Sequence, residues 1–447
     1  MLVLVSTYVA YEITQLVSKQ RGYFHTGSTK SSEFRKMQLK YLYNSIVEHE
    51  DEIKNALKKD LNKSDFEAYS TEIGFTLKEI SEAIKNLDKW MKPKKVKTPI
   101  THIGTKGLIY REPYGVTLII SPWNYPFQLT MTPLIGSIIG GNTAIIKPSE
   151  LTPHTSVIIQ KIIDQIFDEE YIAVVEGGVE ESTFLLQQKF DLIFFTGSVQ
   201  VGKIVMEAAS KNLTPIILEL GGKSPTIVHQ DANIKIAAKR IIWGKFTNAG
   251  QTCIAPDYLY VHEKIKDELI SAMKDEIVHF YGEQPLDNND YTKIVSDRHF
   301  KRLVNFIRDG EVVHGGMYDQ LTHKIEPTLL TNISWDSPIM SEEIFGPILP
   351  ILTYTDLNLV MNEINQHPKP LALYVFTENR TIANNVIEHV PFGGGCVNDT
   401  LYHMATPYLP FGGVGESGVG NYHGEYSFKA FTHDKSVLLQ TTKIDLK

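Results

Sequence analysis

From Gly115 onward, short β-branched apolar runs alternate with longer stretches of helical periodicity. Strands separated by helices in this way are typical of βαβ units, whose parallel sheet is covered by helices on both faces. We predict helices over 129–139, 156–167 and 201–209. The strands predicted around them are 116–120, 143–146, 171–176, 192–195 and 216–218. This part of the chain is therefore predicted to form one α/β lobe.

A second series of the same kind follows Gly221. Its predicted strands lie near 226–228, 257–261, 348–353 and 371–376. Its predicted helices lie near 234–246, 264–279, 299–308 and 357–365. The fold class is therefore predicted to be α/β, with two lobes that each contain a parallel sheet.

The segments outside these two series have different patterns. Residues 31–90 almost lack Gly and Pro, and their apolar residues recur at helical spacing, so the first 90 residues are predicted to be helical. A hairpin is predicted near 98–112, and residues 436–440 are predicted to form a final edge strand. The Gly-rich stretch 411–424 has little periodicity.

Composition limits the class of partner. The 447 residues carry 44 Lys and Arg against 52 Asp and Glu, a formal charge of −8 with no long basic block, which argues against a nucleic-acid partner. Two cysteines exclude a disulfide scaffold and favour a reducing compartment, so we expect a cytoplasmic protein. The apolar start, residues 1–11, is too short to span a bilayer, and we expect no integral membrane segment.

The first candidate site is the segment 194–203, where a predicted strand leads through Gly197 into a helix. Free backbone N–H groups and the helix dipole make such a junction suitable for a phosphate, although a helix start without a ligand is an equally ordinary interpretation. The residues also match the opening of a P-loop. That match fails at Ile204, which stands where a magnesium-binding Ser or Thr is required.

The second candidate is Cys253, which lies between polar residues and Pro256 on a predicted loop at a strand mouth. A thiolate is a strong nucleophile, but a lone Cys is more often a small buried apolar residue. We expect Cys396, inside a run of glycines, to occupy a tight site that only a small side chain fits.

The third candidate is Glu219, which ends an apolar strand immediately before Gly221 and Gly222. The carboxyl ends of strands are where α/β sheets bind ligands. A partly desolvated carboxylate there would have a raised pKa and could act as a general base. The alternative is a surface glutamate at a strand end.

Seven motifs in a fixed order resemble the aldehyde dehydrogenase superfamily, over roughly residues 32–433. The length and the segments 71–74 and 253–258 look most like its class 3, fatty-aldehyde branch. The motifs are Ser121-Pro122-Trp123-Asn124-Tyr125-Pro126, Ile146-Lys147-Pro148-Ser149-Glu150, Phe195-Thr196-Gly197-Ser198, Glu219-Leu220-Gly221-Gly222-Lys223, Gly250-Gln251-Thr252-Cys253, Glu342-Glu343-Ile344-Phe345-Gly346-Pro347 and Pro410-Phe411-Gly412-Gly413.

The resemblance implies NAD(P)-dependent oxidation of an aldehyde to its carboxylate. It assigns Cys253 as the nucleophile that forms a thiohemiacetal and then a thioester. It assigns the Asn124 amide, with the backbone N–H of Cys253, to the oxyanion, and Glu219 to activation of the hydrolytic water. No metal is required, and the spacing of the late histidines fits no standard metal cluster.

The resemblance also assigns the residues that would bind the nicotinamide cofactor. Lys147 and Glu150 would hold the adenosine ribose, and Glu343 the nicotinamide ribose. A carboxylate at position 150 favours NAD over NADP, although use of both stays open. The remaining assigned residues are Phe345 at the nicotinamide end, and Gly197, Ser198 and Gly202 at the pyrophosphate.

For the architecture, the resemblance implies two Rossmann-like lobes and a small β oligomerisation element in a homodimer. We predict an NAD(P)-binding domain over 1–98 and 115–218, a catalytic domain over 219–409, and the oligomerisation element over 99–114 and 410–447. Two alternatives remain, a CoA-acylating aldehyde dehydrogenase, against which Glu219 argues, and an inactive binding protein on the same scaffold.

Overall fold

A layer of helices precedes the first lobe. The structure is a computed structural model that describes the backbone of residues 2–443 and the side chains from residue 9. The layer has five α-helices, with a π-helical segment, Tyr69–Ile73, between the last two. They are α1 (Leu2–His25), α2 (Ser32–Glu48), α3 (Glu50–Leu61), α4 (Asp65–Ala68) and α5 (Gly74–Trp90).

The first lobe follows an antiparallel hairpin of β1 (Lys94–Val96) and β2 (Thr105–Pro113). Helix α6 carries no exposed residue, because it packs between the sheet and the N-terminal helices. The elements are β3 (Val116–Ile120), α6 (Gln128–Gly140), β4 (Thr143–Lys147), α7 (Pro153–Ile166), β5 (Ile172–Val174), α8 (Val179–Gln187), β6 (Leu192–Thr196), α9 (Val199–Ser210) and β7 (Ile216–Glu219).

The second lobe has the same alternation with more inserted strands. Its elements are β8 (Pro225–Val228), α10 (Ile234–Phe246), β9 (Tyr258–His262), α11 (Lys266–Tyr281), α12 (Asp297–Phe306), β10 (Glu311–His314), β11 (Tyr318–Asp319), β12 (Lys324–Ile325), β13 (Thr328–Thr331), β14 (Ile348–Tyr354), α13 (Leu357–Gln366), β15 (Ala372–Phe376), α14 (Arg380–His389) and β16 (Gly394–Val397). The chain ends through β17 (Gly418–Val419), α15 (Glu425–Ala430) and β18 (Thr432–Gln440).

The first sheet has the order β17-β7-β6-β3-β4-β5, in which only β17 is antiparallel to its neighbour. The order reverses at β3, because the chain first adds β4 and β5 on one side and then β6 and β7 on the other. Open α/β sheets bind ligands in the crevice outside the carboxyl ends of the strands at such a reversal. The fold therefore places the residues after β3, β4 and β6 at a binding crevice.

The second sheet has the order β10-β13-β14-β9-β8-β15-β16 and is parallel except at β10. The third sheet, β1-β2-β18, is antiparallel, and β1 and β18 are its edge strands. The predicted α/β class with two parallel-sheet lobes is confirmed, as are the helical start and the final edge strand. The hairpin lies earlier than predicted, since its first strand is at 94–96 instead of near 98.

The sequence interpretation missed several short elements of the second lobe. Strands β13 and β16 and helix α14 fall between the predicted elements. Strand β16 carries two glycines and Cys396, whereas a strand signal requires a run of β-branched residues. The strand forms because Leu373 and its neighbours in β15 supply parallel backbone partners.

Candidate active site

The Cys253 loop begins where α10 ends, in a tight turn whose residues Asn248 and Ala249 have left-handed backbone angles. Gly250 is also left-handed, with φ of 73°, and a Cβ there would lie 2.2 Å from the carbonyl oxygen of Gly346. Glycine is required at this position for both reasons. The turn leads to Cys253, whose thiol is free and half-buried.

Asn124 lies on the loop that follows β3, with a side chain that is only 2% exposed. Its Nδ2 donates a hydrogen bond to the carbonyl oxygen of Gln251 at 2.9 Å. The Asn124 carbonyl oxygen accepts from Nδ2 of Asn248 at 2.8 Å. The amide loop and the thiol loop are therefore joined directly, and one N–H of the Asn124 amide remains after its bond to Gln251.

Glu219 is the last residue of β7 and is 3% exposed. Neither carboxylate oxygen has a hydrogen-bond partner among the residues that the structure describes. Burial raises the pKa of Glu219 well above its ordinary value, because no neighbouring charge or donor compensates the loss of water. The surface-glutamate alternative is thus excluded, and the carboxyl group is a strong base once it is ionised.

The Cys253 thiol shares the environment of these carboxylates. Burial raises its pKa most, and the charges of Glu343 and Glu219 raise it further. Both carboxylates are therefore close enough to act on the sulfur electrostatically. Because the thiol is held neutral, its attack on a carbonyl requires a group that accepts its proton.

Glu343 lies on a loop whose backbone is held by hydrogen bonds to three charged side chains. Oδ1 of Asp257 accepts from the Ile344 N–H at 2.9 Å, and Lys223, paired with Asp257 at 2.6 Å, donates to the carbonyl oxygen of Glu342. Arg302 donates to the carbonyl oxygens of Glu343 and Ile344. Burial, with the charge of Asp257, raises the pKa of Glu343 to about 8. Three side chains therefore hold the backbone of this loop.

Gly221 lies directly beside the Glu343 carboxylate. A Cβ built on Gly221 would lie 2.0 Å from Oε2 of Glu343, so a larger residue at position 221 would displace this carboxylate. A crevice of about 270 Å³ is lined in part by Val199, Gly221 and Glu343, at the meeting of the two lobes. Phe345 follows with a left-handed φ of 51°, and its ring packs edge-on against Trp123 at 5.2 Å.

The residues assigned to the adenosine end lie after β4. Lys147 is 2% exposed, and its Nζ is 3.1 Å from Oε2 of Glu150 and 2.8 Å from the carbonyl oxygen of Pro148. The Glu150 side chain is about half exposed. An acceptor carboxylate beside a buried ammonium at a strand end is a donor and acceptor set that fits ribose hydroxyls.

The segment after β6 has the predicted geometry of a helix start. Ser198 is exposed and caps α9, accepting from the Val201 N–H, so the first turn is open to the crevice. Gly202 is buried, and a Cβ there would lie 2.7 Å from the Leu220 side chain. Gly197 is similarly close to the Phe195 ring. These two glycines therefore set how closely the helix approaches the sheet.

The model of the aldehyde dehydrogenase family matches residues 3–437. The chain belongs to the aldehyde dehydrogenase family. It is 52% identical to a 4,4'-diaponeurosporen-aldehyde dehydrogenase of Staphylococcus aureus, over 97% of this chain and 95% of that protein. It is 43% identical to a dimeric NADP-preferring aldehyde dehydrogenase of Mus musculus, over 96% of this chain and 95% of that protein.

Solved structures agree with this family assignment. The substrate-bound state of Staphylococcus aureus AldH superposes with a TM-score of 0.96 at 52% identity, covering 97% of this chain and 95% of that one. The aldehyde dehydrogenase fold predicted from the sequence is thereby confirmed. The enzyme is an oxidoreductase that acts on aldehydes, with a nicotinamide cofactor of the kind its family uses.

Sequence reasoning missed the charged residues that hold the loops of this aldehyde dehydrogenase. Three of them, Lys63, Glu67 and Glu72, belong to the N-terminal helical layer and bind the backbone of the Asn124 and Cys253 loops. The other two, Asp257 and Arg302, bind the backbone of the Glu343 loop. Charged residues are ordinarily solvated. Although Glu72 and Asp257 lie in the segments 71–74 and 253–258, the resemblance assigned neither of them a role, and no local signal showed that these charges are buried.

Residues 2–443 contain neither a group of possible metal ligands nor a helix that could span a membrane. Over residues 2–443, no three His, Cys, Asp or Glu side chains are grouped in a way that could hold a metal ion. Over the same range, no helix is long and apolar enough to cross a membrane.

Proposed function

We propose that this aldehyde dehydrogenase oxidises its substrate through Cys253, with Asn124 and Glu219 as its catalytic partners. The observation that carries the proposal is that three groups lie close together at the Cys253 loop. They are a half-buried thiol, an amide hydrogen-bonded into the thiol's own loop, and a buried carboxylate without a partner among the described residues. These are the groups that acyl transfer through a thioester requires.

The first step joins the Cys253 sulfur to the aldehyde carbon. The thiol releases its proton to solvent as the carbon–sulfur bond forms, and the carbonyl oxygen becomes negative. One N–H of the Asn124 amide and the backbone N–H of Cys253 stabilise this oxyanion, and preorganised donors of this type contribute about 3–4 kcal/mol each. When bound, the oxidised nicotinamide supplies the acceptor for the hydride that leaves the carbon.

The second step hydrolyses the thioester on Cys253. Glu219 takes a proton from a water molecule as the water oxygen adds to the acyl carbon. The carbon–sulfur bond then breaks, Glu219 returns this proton to the Cys253 sulfur, and the product leaves as a carboxylate after losing its own proton to solvent. The raised pKa of Glu219 favours this step, because a base is most effective when its pKa is near the working pH.

For the cofactor, we propose that Lys147 and Glu150 bind the adenosine ribose and that Glu343 binds the nicotinamide ribose. Gly197, Ser198 and Gly202 would shape the pyrophosphate site, and Phe345 would border the nicotinamide. The half-exposed Glu150 favours NAD because a carboxylate repels a 2'-phosphate. The NADP-preferring mouse relative argues that NADP is also accepted. The ratio of kcat/KM for the two cofactors decides this point.

We further propose a homodimer in which the β1-β2-β18 sheet is part of the contact. The edge strand β18 has one unpaired side among the described residues, and the mouse relative is named a dimeric enzyme. An unpaired strand edge is a ready surface for another chain. We also propose domain boundaries at residues 98, 115, 219 and 410, and a cytoplasmic location.

The decisive experiment replaces Cys253 with Ser and, as a matched control, Cys396 with Ser. We expect Cys253→Ser to abolish aldehyde oxidation while cofactor affinity, measured by fluorescence titration, stays near wild type. Cys396→Ser should keep turnover, since its Sγ lies near Nδ1 of His403 and not in the crevice. Turnover retained by Cys253→Ser would remove Cys253 from its role. Acceleration by added CoA would indicate the CoA-acylating alternative.

A further inference from the structure

A fully buried ion pair lies between the N-terminal helical layer and the catalytic loops. Lys63 follows α3, Glu72 belongs to the π-helical segment before α5, and neither side chain is exposed. Lys63 Nζ donates to Oε1 of Glu72. Transfer of two charges from water to the interior costs several kcal/mol per ion, so a pair of this kind needs an explanation beyond stability.

Lys63 reaches the loop that carries the amide. Its Nζ donates to the carbonyl oxygen of Asn124 at 3.0 Å and lies 4.0 Å from the centre of the Tyr125 ring. The ammonium therefore fixes the peptide group between Asn124 and Tyr125. Because Asn248 donates to the same carbonyl oxygen, the two donors hold this oxygen from two sides.

Glu72 holds the other end of the same loop. Its Oε2 accepts from the N–H groups of Phe127 at 2.8 Å and Gln128 at 3.2 Å, where α6 begins. A carboxylate is stabilised at a helix N-terminus by the helix dipole and the free N–H groups. The ion pair thus holds residues 124–128 at both ends, with a single side-chain bond joining the two supports.

The same N-terminal segment also supports the thiol loop. Oε1 of Glu67 accepts from the backbone N–H of Asn248 at 2.7 Å, and its Oε2 accepts from the hydroxyl of Thr292. Asn248 is the left-handed residue whose amide bonds to both Asn124 and Gln251. One helical layer therefore contacts both loops that form the oxyanion site.

We infer that Lys63 and Glu72 are positioning residues, which hold the Asn124 amide at the place where the oxyanion forms. The inference rests on the proposed role of Asn124. Neither residue touches the reacting atoms. Displacement of a positioned group by about 1 Å can lower a rate a hundredfold, so loss of this support should appear in the chemical step.

The test combines Lys63→Met with Asn124→Ala in a double-mutant cycle. We expect Lys63→Met alone to lower kcat/KM for the aldehyde between about tenfold and a hundredfold, with cofactor affinity unchanged. In the Asn124→Ala background, the same change should cost less than about twofold, because the group that Lys63 orients is absent. Lys63→Arg, which keeps a cation and a donor, should recover part of the loss.

Folding is checked separately, because a single replacement leaves one unpaired buried charge. The double variant Lys63→Met/Glu72→Gln removes both charges and keeps an acceptor for the Phe127 N–H. We expect it to fold and to show the same kinetic loss. Arg35→Met is the matched control, since Arg35 is a buried cation of the same layer that donates to the carbonyl oxygens of Thr29 and Ile139, away from the site. It should lower thermal stability and leave kcat/KM near wild type.

Different results would refute the positioning role of Lys63 and Glu72 and the oxyanion role of Asn124. If Lys63→Met costs the same in both backgrounds, or if the charge-free double variant has wild-type kcat/KM, the positioning role is refuted while the oxyanion role of Asn124 stands. If Asn124→Ala itself has wild-type kcat/KM, the proposed oxyanion role falls, and the inference falls with it.

Discussion

Gly221→Ala tests whether Glu343 binds the cofactor. The Cβ of the new alanine would lie 2.0 Å from Oε2 and 2.7 Å from the carboxyl carbon of Glu343. Neither Gly221 nor Gly222 has a left-handed backbone, so alanine brings no conformational strain at either position. Because Lys223, Asp257 and Arg302 hold the loop backbone, the carboxylate is the part that must move.

The size of the effect follows from the displacement. To restore an ordinary contact, the carboxylate must retreat by about 1 Å or more, which breaks a hydrogen bond of normal length. A hydrogen bond to a charged group contributes about 1.5–3 kcal/mol. We therefore expect the Kd of the nicotinamide cofactor to rise by about 10- to 150-fold. Thermal stability should change much less, because the crevice offers space for the displaced side chain.

Fluorescence titration of the cofactor measures this Kd, and Gly222→Ala is the matched control. A Cβ on Gly222 meets nothing closer than 3.5 Å, so this neighbouring variant should bind cofactor like wild type. In a Glu343→Ala background, Gly221→Ala should have no further effect. A wild-type Kd in Gly221→Ala would refute the role of Glu343, and a loss that persists without Glu343 would refute the steric reasoning.

Three further predictions concern catalysis, cofactor choice and acid stability. Glu219→Gln should give a burst of reduced cofactor followed by slow turnover, which stopped-flow absorbance measures. In the wild type, steady-state kcat should rise with pH as Glu219 ionises, because burial raises the pKa of this carboxyl. This rise should be absent in Glu219→Gln. Glu150→Gln should raise the NADP-to-NAD ratio of kcat/KM by roughly two- to fivefold, and an unchanged ratio would contradict its contact with ribose. Burial lowers the pKa of His423 to about 4, below that of an unfolded histidine, so its contribution to stability is complete above pH ~6.5 and is lost as the pH falls toward 4. Urea unfolding should therefore show the destabilisation caused by His423→Gln shrinking over that range, and a constant difference would exclude the titration.

Local signals were sufficient for most of the architecture. Strands β3, β4, β6 and β7 are short apolar runs that are buried along nearly their whole length, as expected when helices cover both faces of a parallel sheet. Asn124 and Glu219 are then placed without further information, because both lie at carboxyl ends of strands in the first sheet, and parallel strands bring these ends to one edge. Cys253 lies between α10 and β9 of the second lobe, so its place beside them depends on how the two lobes pack.

The pairings that depend on distant parts of the chain could not be predicted in this way. Strand β18 pairs with β2 along nine residues, although more than 300 residues separate them. Local periodicity contains no information about such a partner. Lys63 and Glu72 are a similar case, because each is an ordinary charged residue in sequence and only the tertiary fold shows that both are buried against the amide loop.

The electrostatics of the site explain why a cation would be used to orient the amide and not to neutralise the oxyanion directly. A positive charge beside Cys253 would stabilise negative charge on the sulfur and oxygen, but it would also lower the pKa of Glu219 and weaken it as a base. In this structure the causes that raise the pKa of Cys253 are burial, Glu343 and Glu219. The Lys63 charge is instead paired with Glu72, and only its hydrogen bond reaches the Asn124 loop. Neutral donors that are fixed before the reaction can stabilise the oxyanion while Glu219 stays basic.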